Sequence, residues 1–460
     1  MKLFASDSKF YKNVCTLALP IAGQSAITVG VNLLDNVMVG KLGEIAMSGV
    51  SQASAFISIY HIFCMGLGMG ASVLVSRYWG MKRSGQNEQD ASVALKQTVC
   101  LMLRITMLLA SVFAVLTLLY SKQIMGLYTN QDSVVASGAE YLKYSVITYF
   151  FLGASLTTTI VLRSVGQAML PLFVSIGAFF VNLAANYAFI FGKFGAPRME
   201  VAGAAVGTLI ARVFEAICIV GYLLVVDRKI CFRIRDFFMK TASLLREYVR
   251  ICVPVLLSDG ILAFGNSAVA MVIGHLGDRF VAANSITQIT QQISTVVIQG
   301  VSQAGAIVTG QTLGEGDKEK AMNQGWLFLG LGIGLGIISA LIITAISGPI
   351  ISLYSVSEET IAIAKQLMLT ISFIIIFQAT NSIMTKGVLR GGGDTLMLVV
   401  FDNIFLWLIA LPLGIAAGYF FKLPAFGIYV FLKSDQIVKA VWCVLRLKSG
   451  KWIKKISTKS

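Results

Sequence analysis

The sequence predicts an all-α integral membrane protein, with about twelve transmembrane helices in two pseudo-symmetric six-helix bundles around a central cleft. Three observations predict it. The 460 residues are 56% hydrophobic and only 13% charged, with a mean hydropathy of +0.79, whereas soluble domains carry about a quarter charged residues. Apolar stretches long enough to cross about 30 Å of hydrocarbon recur along the whole chain. At a shift of 234 residues the first half also lies on the second without a gap for about sixty residues. Pro20 falls on Pro254, Gly40 on Gly274, and Leu42 and Gly43 on Leu276 and Gly277. Further on, "VLRSVG" ending at Gly166 matches "VLRGGG" ending at Gly393. Two similar apolar halves are the layout of a secondary transporter, with the substrate path expected between them.

The apolar runs give six spans per half: 13–39, 46–78, 92–119, 137–163, 169–191 and 200–226, then 248–275, 281–312, 321–346, 355–388, 396–420 and 423–446. Several exceed the minimum length and must tilt or protrude. An even number per half makes both halves enter the bilayer in the same sense, related by an axis along the membrane normal. The expected domains are an N-terminal lobe (1–226), a cytoplasmic linker (227–250) and a C-terminal lobe with a basic tail (251–460). The linker's mixture of basic and apolar residues suits a helix lying on the membrane surface.

Basic residues set the orientation. Lys2, Lys9, Lys12, Arg77, Lys82, Arg83, Arg228, Lys229, Arg233 and the tail from Arg446 to Lys459 gather on one side, which places both termini in the cytoplasm of a multi-pass cell-membrane protein. The same bias accounts for the net charge of +15 without nucleic acid, the tail facing anionic lipid. The seven cysteines lack paired spacing and read as free thiols. The apolar run at the start is too long for a cleaved signal peptide.

Carboxylates inside a membrane are costly and each needs a reason. Asp35 is the leading one, because its counterpart under the repeat is Val269. Asn182 and Asn186 are spaced i, i+4 and share a helical face, and Thr208 reaches a similar depth. One carboxylate, two amides and a hydroxyl suit a hard cation or a proton. The spacing equally suits a helix-end Asp beside amides that glue helices together. Arg212 with Glu215, and Asp435 with Lys439, allow local ion pairs of structural role. Asp402 reads as a boundary residue of the same kind. Asp259 has no basic partner within a turn and is a candidate for cavity chemistry. Pro20 and Pro254 kink the first helix of each half, as hinges or as static bends. Tyr60 and Tyr149 are candidates for an aromatic substrate cavity, although core packing explains such residues more often. His61 reads as packing. "GLGMGAS" and "GLGIGLG" lie inside apolar spans and read as close-packing positions. GxxxxGK[ST], HExxH, CxxC and a Ser/His/Asp set are all missing from the sequence, which argues against ATP as fuel and against an enzyme.

The segments "LALPIAGQSAITVGVNLLDNVMVGKLG", "RSVGQAMLPLFV", "GAAVGTLIAR", "GQTLGEGDKEKA" and "GVLRGGGDT" resemble the multidrug and toxic compound extrusion (MATE) family, in order and across nearly the whole chain. The resemblance implies a MATE/MOP-type fold and an antiporter that expels organic, often cationic, compounds in exchange for H⁺ or Na⁺. It implies no other cofactor, no metal beyond Na⁺ at Asp35, and a monomer in the lipid bilayer. The family's helix 1 carboxylate maps onto Asp35. Its helix 5 pair maps onto Asn182 and Asn186, where an amide replaces the expected acid, and its helix 6 Thr maps onto Thr208. Some members of the NorM type also carry acids in helices 7 and 10. Those positions fall near Ile261 or Leu262 and near Ala379 here, with Asp259 and Asn381 as the nearest polar groups. The rival reading is a lipid-linked oligosaccharide flippase of the same superfamily. Its pyrophosphate would favour a basic cavity, which Arg212 and Lys386 keep open.

Overall fold

A computed structural model describes residues 8–85, 87–352, 354 and 356–454. Lys2, Lys455 and Lys459, counted in the charge bias above, lie outside them, as does residue 355 at the start of the tenth predicted span. Helices follow one another throughout, with no strand among the described residues. They are α1 (Ser8–Gly40), α2 (Glu44–Arg83), α3 (Glu88–Gly126), α4 (Asp132–Ser145), α5 (Thr148–Ser164), α6 (Met169–Phe191) and α7 (Glu200–Gly221). The second half supplies α8 (Ala242–His275), α9 (Asp278–Gly314), α10 (Lys318–Ser352), α11 (Glu358–Ser382), α12 (Thr395–Ile404), α13 (Leu411–Ile415), α14 (Ala425–Leu432) and α15 (Ser434–Lys448).

Among the described residues ten helical stretches are long and apolar enough to cross a membrane. The fourth predicted span is the pair α4 and α5, bent by 60°. The twelfth is divided at Lys433 into α14 and α15. At 8 and 15 residues neither piece is long enough to cross alone, and α15 buries Asp435 and Lys439, each only 2% exposed. π-helical turns extend α7 and α11 and join α12 to α13. All seven cysteines are free.

Packing groups the chain into two units. One holds the described parts of 23–82 and 87–252, the other those of 1–22, 83–86 and 253–457. Each first helix therefore changes unit within two residues of its proline, after Ala22 in α1 and after Cys252 in α8. Both helices run through Pro20 and Pro254 without interruption. A glycine makes room close to each crossing. A Cβ on Gly300 would stand 2.5 Å from the Ala18 carbonyl oxygen, and a Cβ on Gly70 would stand 2.5 Å from Cys252 Sγ. Ala18 and Cys252 are repeat partners, but Gly300 answers to Gly66 and not to Gly70, so the two close approaches lie about one helical turn out of register.

The linker is not the surface helix expected of it. Asp227 accepts hydrogen bonds from the backbone N–H groups of Lys229, Ile230 and Cys231 at 3.3, 2.8 and 3.1 Å, which turns the chain instead of extending α7. Ile230 and Phe232 are then fully buried. Arg104 of α3 donates to the carbonyls of Phe237 and Met239 and holds the short 3-10 turn Ile234–Phe238 in place.

Candidate functional site

The unit containing residues 23–82 and 87–252 encloses a cavity of about 300 Å³. Asp35 of α1, Asn182 of α6, and Thr208, Arg212 and Glu215 of α7 all line it. Beside them Asn186 is buried, 1% exposed, and its Nδ2 donates to Asp35 Oδ1 at 2.6 Å and to Asn182 Oδ1 at 3.3 Å. The i, i+4 spacing thus joins the two amides, and Asn186 alone reaches the carboxylate. Gly207 makes room for them, since a Cβ there would lie 2.1 Å from Asn186 Oδ1. That oxygen is buried without a hydrogen-bond partner. Arg212, the nearby cation, is engaged by Glu215 at 2.6 Å. The cavity wall therefore carries two carboxylates and one guanidinium. Asp35, half-buried, is the carboxylate held only by an amide.

Several residues of this wall escaped the sequence reading. Gln24 of α1 accepts from Arg163 of α5 and donates to Ser175 of α6 at 2.8 Å, tying three helices together. Tyr141 and His61 also face the cavity, so His61 is not simply packing. Only Arg163 left a signal in the sequence: it stands in the repeated VLR motif, opposite Arg390.

Tyr60 and Tyr149, expected in a substrate cavity, belong instead to the core. Both are fully buried, their rings 5.0 Å apart edge to face beside Phe113. Tyr60 donates its hydroxyl to the Tyr149 carbonyl at 2.8 Å, and the Tyr149 hydroxyl accepts from Thr117 at 3.0 Å. Satisfied hydroxyls inside an apolar cluster leave nothing to offer a ligand.

In the other unit Asp259 is likewise not a free cavity acid. It pairs with Arg390 at 3.1 Å, a partner supplied by a distant helix and so invisible to local spacing. Asp435 and Lys439 form the expected i, i+4 pair at 2.9 Å. Asp402 joins them 3.9 Å from the same ammonium and, at 6% exposure, is a buried residue and not a boundary one. Asn381 does line a cavity, where its Nδ2 donates to Gln436 Oε1 at 2.9 Å. Among the described residues no three His, Cys, Asp or Glu side chains gather as a metal site. A cation at Asp35 would depend on amide and hydroxyl oxygens.

The MatE family profile matches residues 20–188 and 254–416, one copy in each half. The chain belongs to the MatE family. It is 27% identical to a probable multidrug resistance protein NorM of Thermotoga maritima, over 96% of this chain and 93% of that protein. A solved outward-facing conformation of a multidrug resistance MATE family transporter of the MOP superfamily superposes with a TM-score of 0.85 at 18% identity, over 96% of each chain. A MOP superfamily transporter from Pyrococcus furiosus, described as having a binding pocket of reverse polarity that suggests a different function, superposes at 0.84 and 18% identity over 98% of each chain. The shared fold and the doubled family match make this chain a multi-pass membrane protein of the multidrug transporter type.

Proposed function

We propose that the chain is a secondary antiporter that exports organic, often cationic, compounds by alternating access, with Asp35 as the coupling group. The observation that carries this reading is the Asp35–Asn186 hydrogen bond at the wall of a cavity lined by polar and apolar side chains. A carboxylate held by an amide, and not by a cation, keeps its charge available to an ion or a cationic substrate. Competition between the two for one negative group makes export depend on the inward ion gradient. We take H⁺ as the ion, because Asn186 turns an N–H toward Asp35 and leaves few oxygens for Na⁺. The basic loops support a cell-membrane location with both termini cytoplasmic. The lack of a catalytic motif supports a role without enzymatic step or cofactor, and nothing in the proposed cycle requires more than a monomer.

The test is efflux of a fluorescent organic cation from proteoliposomes under separately imposed pH and Na⁺ gradients. The wild type should respond to the pH gradient. Asp35→Asn should lose on the order of a hundredfold of that rate, about 2.7 kcal/mol of coupling. Intact gradient-driven efflux in Asp35→Asn would sink the assignment. Dependence on Na⁺ alone would replace the proton.

A further inference from the structure

The C-terminal half contains a cavity whose chemistry the Asp35 reading does not use. Two adjoining spaces, about 190 and 300 Å³, share Asn266, Val269, Gln378 and Lys433 on their walls. Lys386, Lys433 and Lys439 line the smaller one with only two carboxylates, Asp402 and Asp435. Both acids are committed to Lys439, at 3.9 and 2.9 Å, and Asp435 also accepts from Gln436 at 2.7 Å. Asp259 is taken by Arg390. Among the described residues neither Lys386 nor Lys433 has an ion-pair partner, although each stands on the cavity wall.

Both lysines sit where the backbone departs from regular α-helix. Lys386 is in the π-helical stretch Ile383–Leu389, a distortion common at functional sites. Lys433 is the break between α14 and α15, its ammonium 5.9 Å from the centre of the Tyr429 ring. The Tyr429 hydroxyl is anchored on Asn284 at 2.9 Å. Gln378 accepts from Gln291 through Oε1 at 2.6 Å, which leaves its amide N–H groups as donors beside the lysines. Lys386 is exposed on this wall and Lys433 half-buried beside it, and among the described residues neither has a carboxylate within ion-pair distance, which leaves both ammonium groups able to meet an anion that enters.

We propose that this cavity receives the anionic group of an organic substrate, a carboxylate held by Lys386 and Lys433. The transport part of this inference rests on the efflux reading above.

A matched dye pair tests it: rhodamine B, which carries a free carboxylate, and its ethyl ester, which has the same cationic ring system without the acid. Binding is followed by fluorescence anisotropy in phosphatidylcholine nanodiscs, and transport in proteoliposomes. The wild type should prefer the acid. Lys386→Gln and Lys433→Gln should each lower the acid-to-ester preference about tenfold, the weight of one charge-assisted hydrogen bond. Lys386→Arg and Lys433→Arg, which keep the charge, should restore most of it. An unchanged ratio in both glutamine variants overturns the proposal, as does a wild type that binds the ester and rejects the acid. If neither dye is transported while the acid still binds through the lysines, the efflux reading fails and the anion site stands. Phosphatidylglycerol offers a phosphate of the same charge. If adding it displaces the acid dye from the wild type, the cavity is a lipid-headgroup site and the substrate assignment falls.

Discussion

The two halves place their cavities at the same positions of the repeat and fill them with opposite charge. Asp35 lines one cavity and its partner Val269 the other, as do Asn32 and Asn266, Ser54 and Gln288, and His61 and Thr295. Across the VLR register, Ser175 answers to Asp402 and Phe179 to Leu406. The last helix shows the contrast most clearly. Thr208, Ala211, Arg212 and Glu215 line the first cavity, and Leu432, Asp435, Gln436 and Lys439, with identical spacing, line the second. A glutamate in one half stands where a lysine stands in the other. Duplication preserved the packing frame and released the cavity walls, so among the described residues one half keeps a carboxylate without an ion pair while the other keeps ammonium groups without one.

The repeated arginine is the sharpest place to break the comparison. Arg163 reaches Gln24, a neutral amide, whereas Arg390 reaches Asp259, a carboxylate. Arg390→Met leaves Asp259 in a largely buried site without its cation, which costs about 3–5 kcal/mol when a buried pair is broken. Arg163→Met removes the donor to the neutral Gln24 amide and should cost about 1–3 kcal/mol. Thermal unfolding of the two variants in the same detergent measures the difference. Equal losses would mean that the two arginines serve the same role despite their partners.

Gly207 gives a smaller effect confined to the first half. A Cβ would collide with Asn186 Oδ1, so Gly207→Ala must displace the amide that holds Asp35. Overpacking of this kind costs about 1–3 kcal/mol. Gradient-driven efflux should fall further than that loss of stability explains, because the coupling carboxylate loses its donor. A variant with normal efflux and a lowered unfolding temperature would show that the Asn186 contact is structural only.

Most of the frame was legible in the sequence, because span length, hydropathy and the 234-residue register are properties of consecutive residues. Asp35, Asn182, Asn186 and Thr208 were legible for a related reason: the break in the repeat at Val269 and the i, i+4 spacing need no tertiary knowledge. What escaped depends on partners distant in sequence. Asp259 looks unpaired until Arg390, 131 residues on, is placed beside it. Gln24, Arg163 and Ser175 are ordinary residues until three helices bring them together. The linker misled because its amphipathic composition suits a surface helix, while one side chain, that of Asp227, captures three backbone N–H groups and ends the helix.

The aromatic cluster yields the smallest effect and tests the boundary between core and cavity. Tyr60 has Ser294 as its repeat partner, so the Tyr60–Phe113–Tyr149 packing belongs to the first half alone. Tyr60→Phe keeps the ring and removes only the hydroxyl that donates to the Tyr149 carbonyl. The loss should be about 0.5–1.5 kcal/mol of stability, the net worth of one neutral hydrogen bond, read as a small drop in unfolding temperature. Efflux rates across a series of aromatic cations should keep their order, since a residue with no exposed surface cannot sort substrates. A reordered substrate series with unchanged stability would return Tyr60 to the cavity wall and imply that the cluster opens during transport.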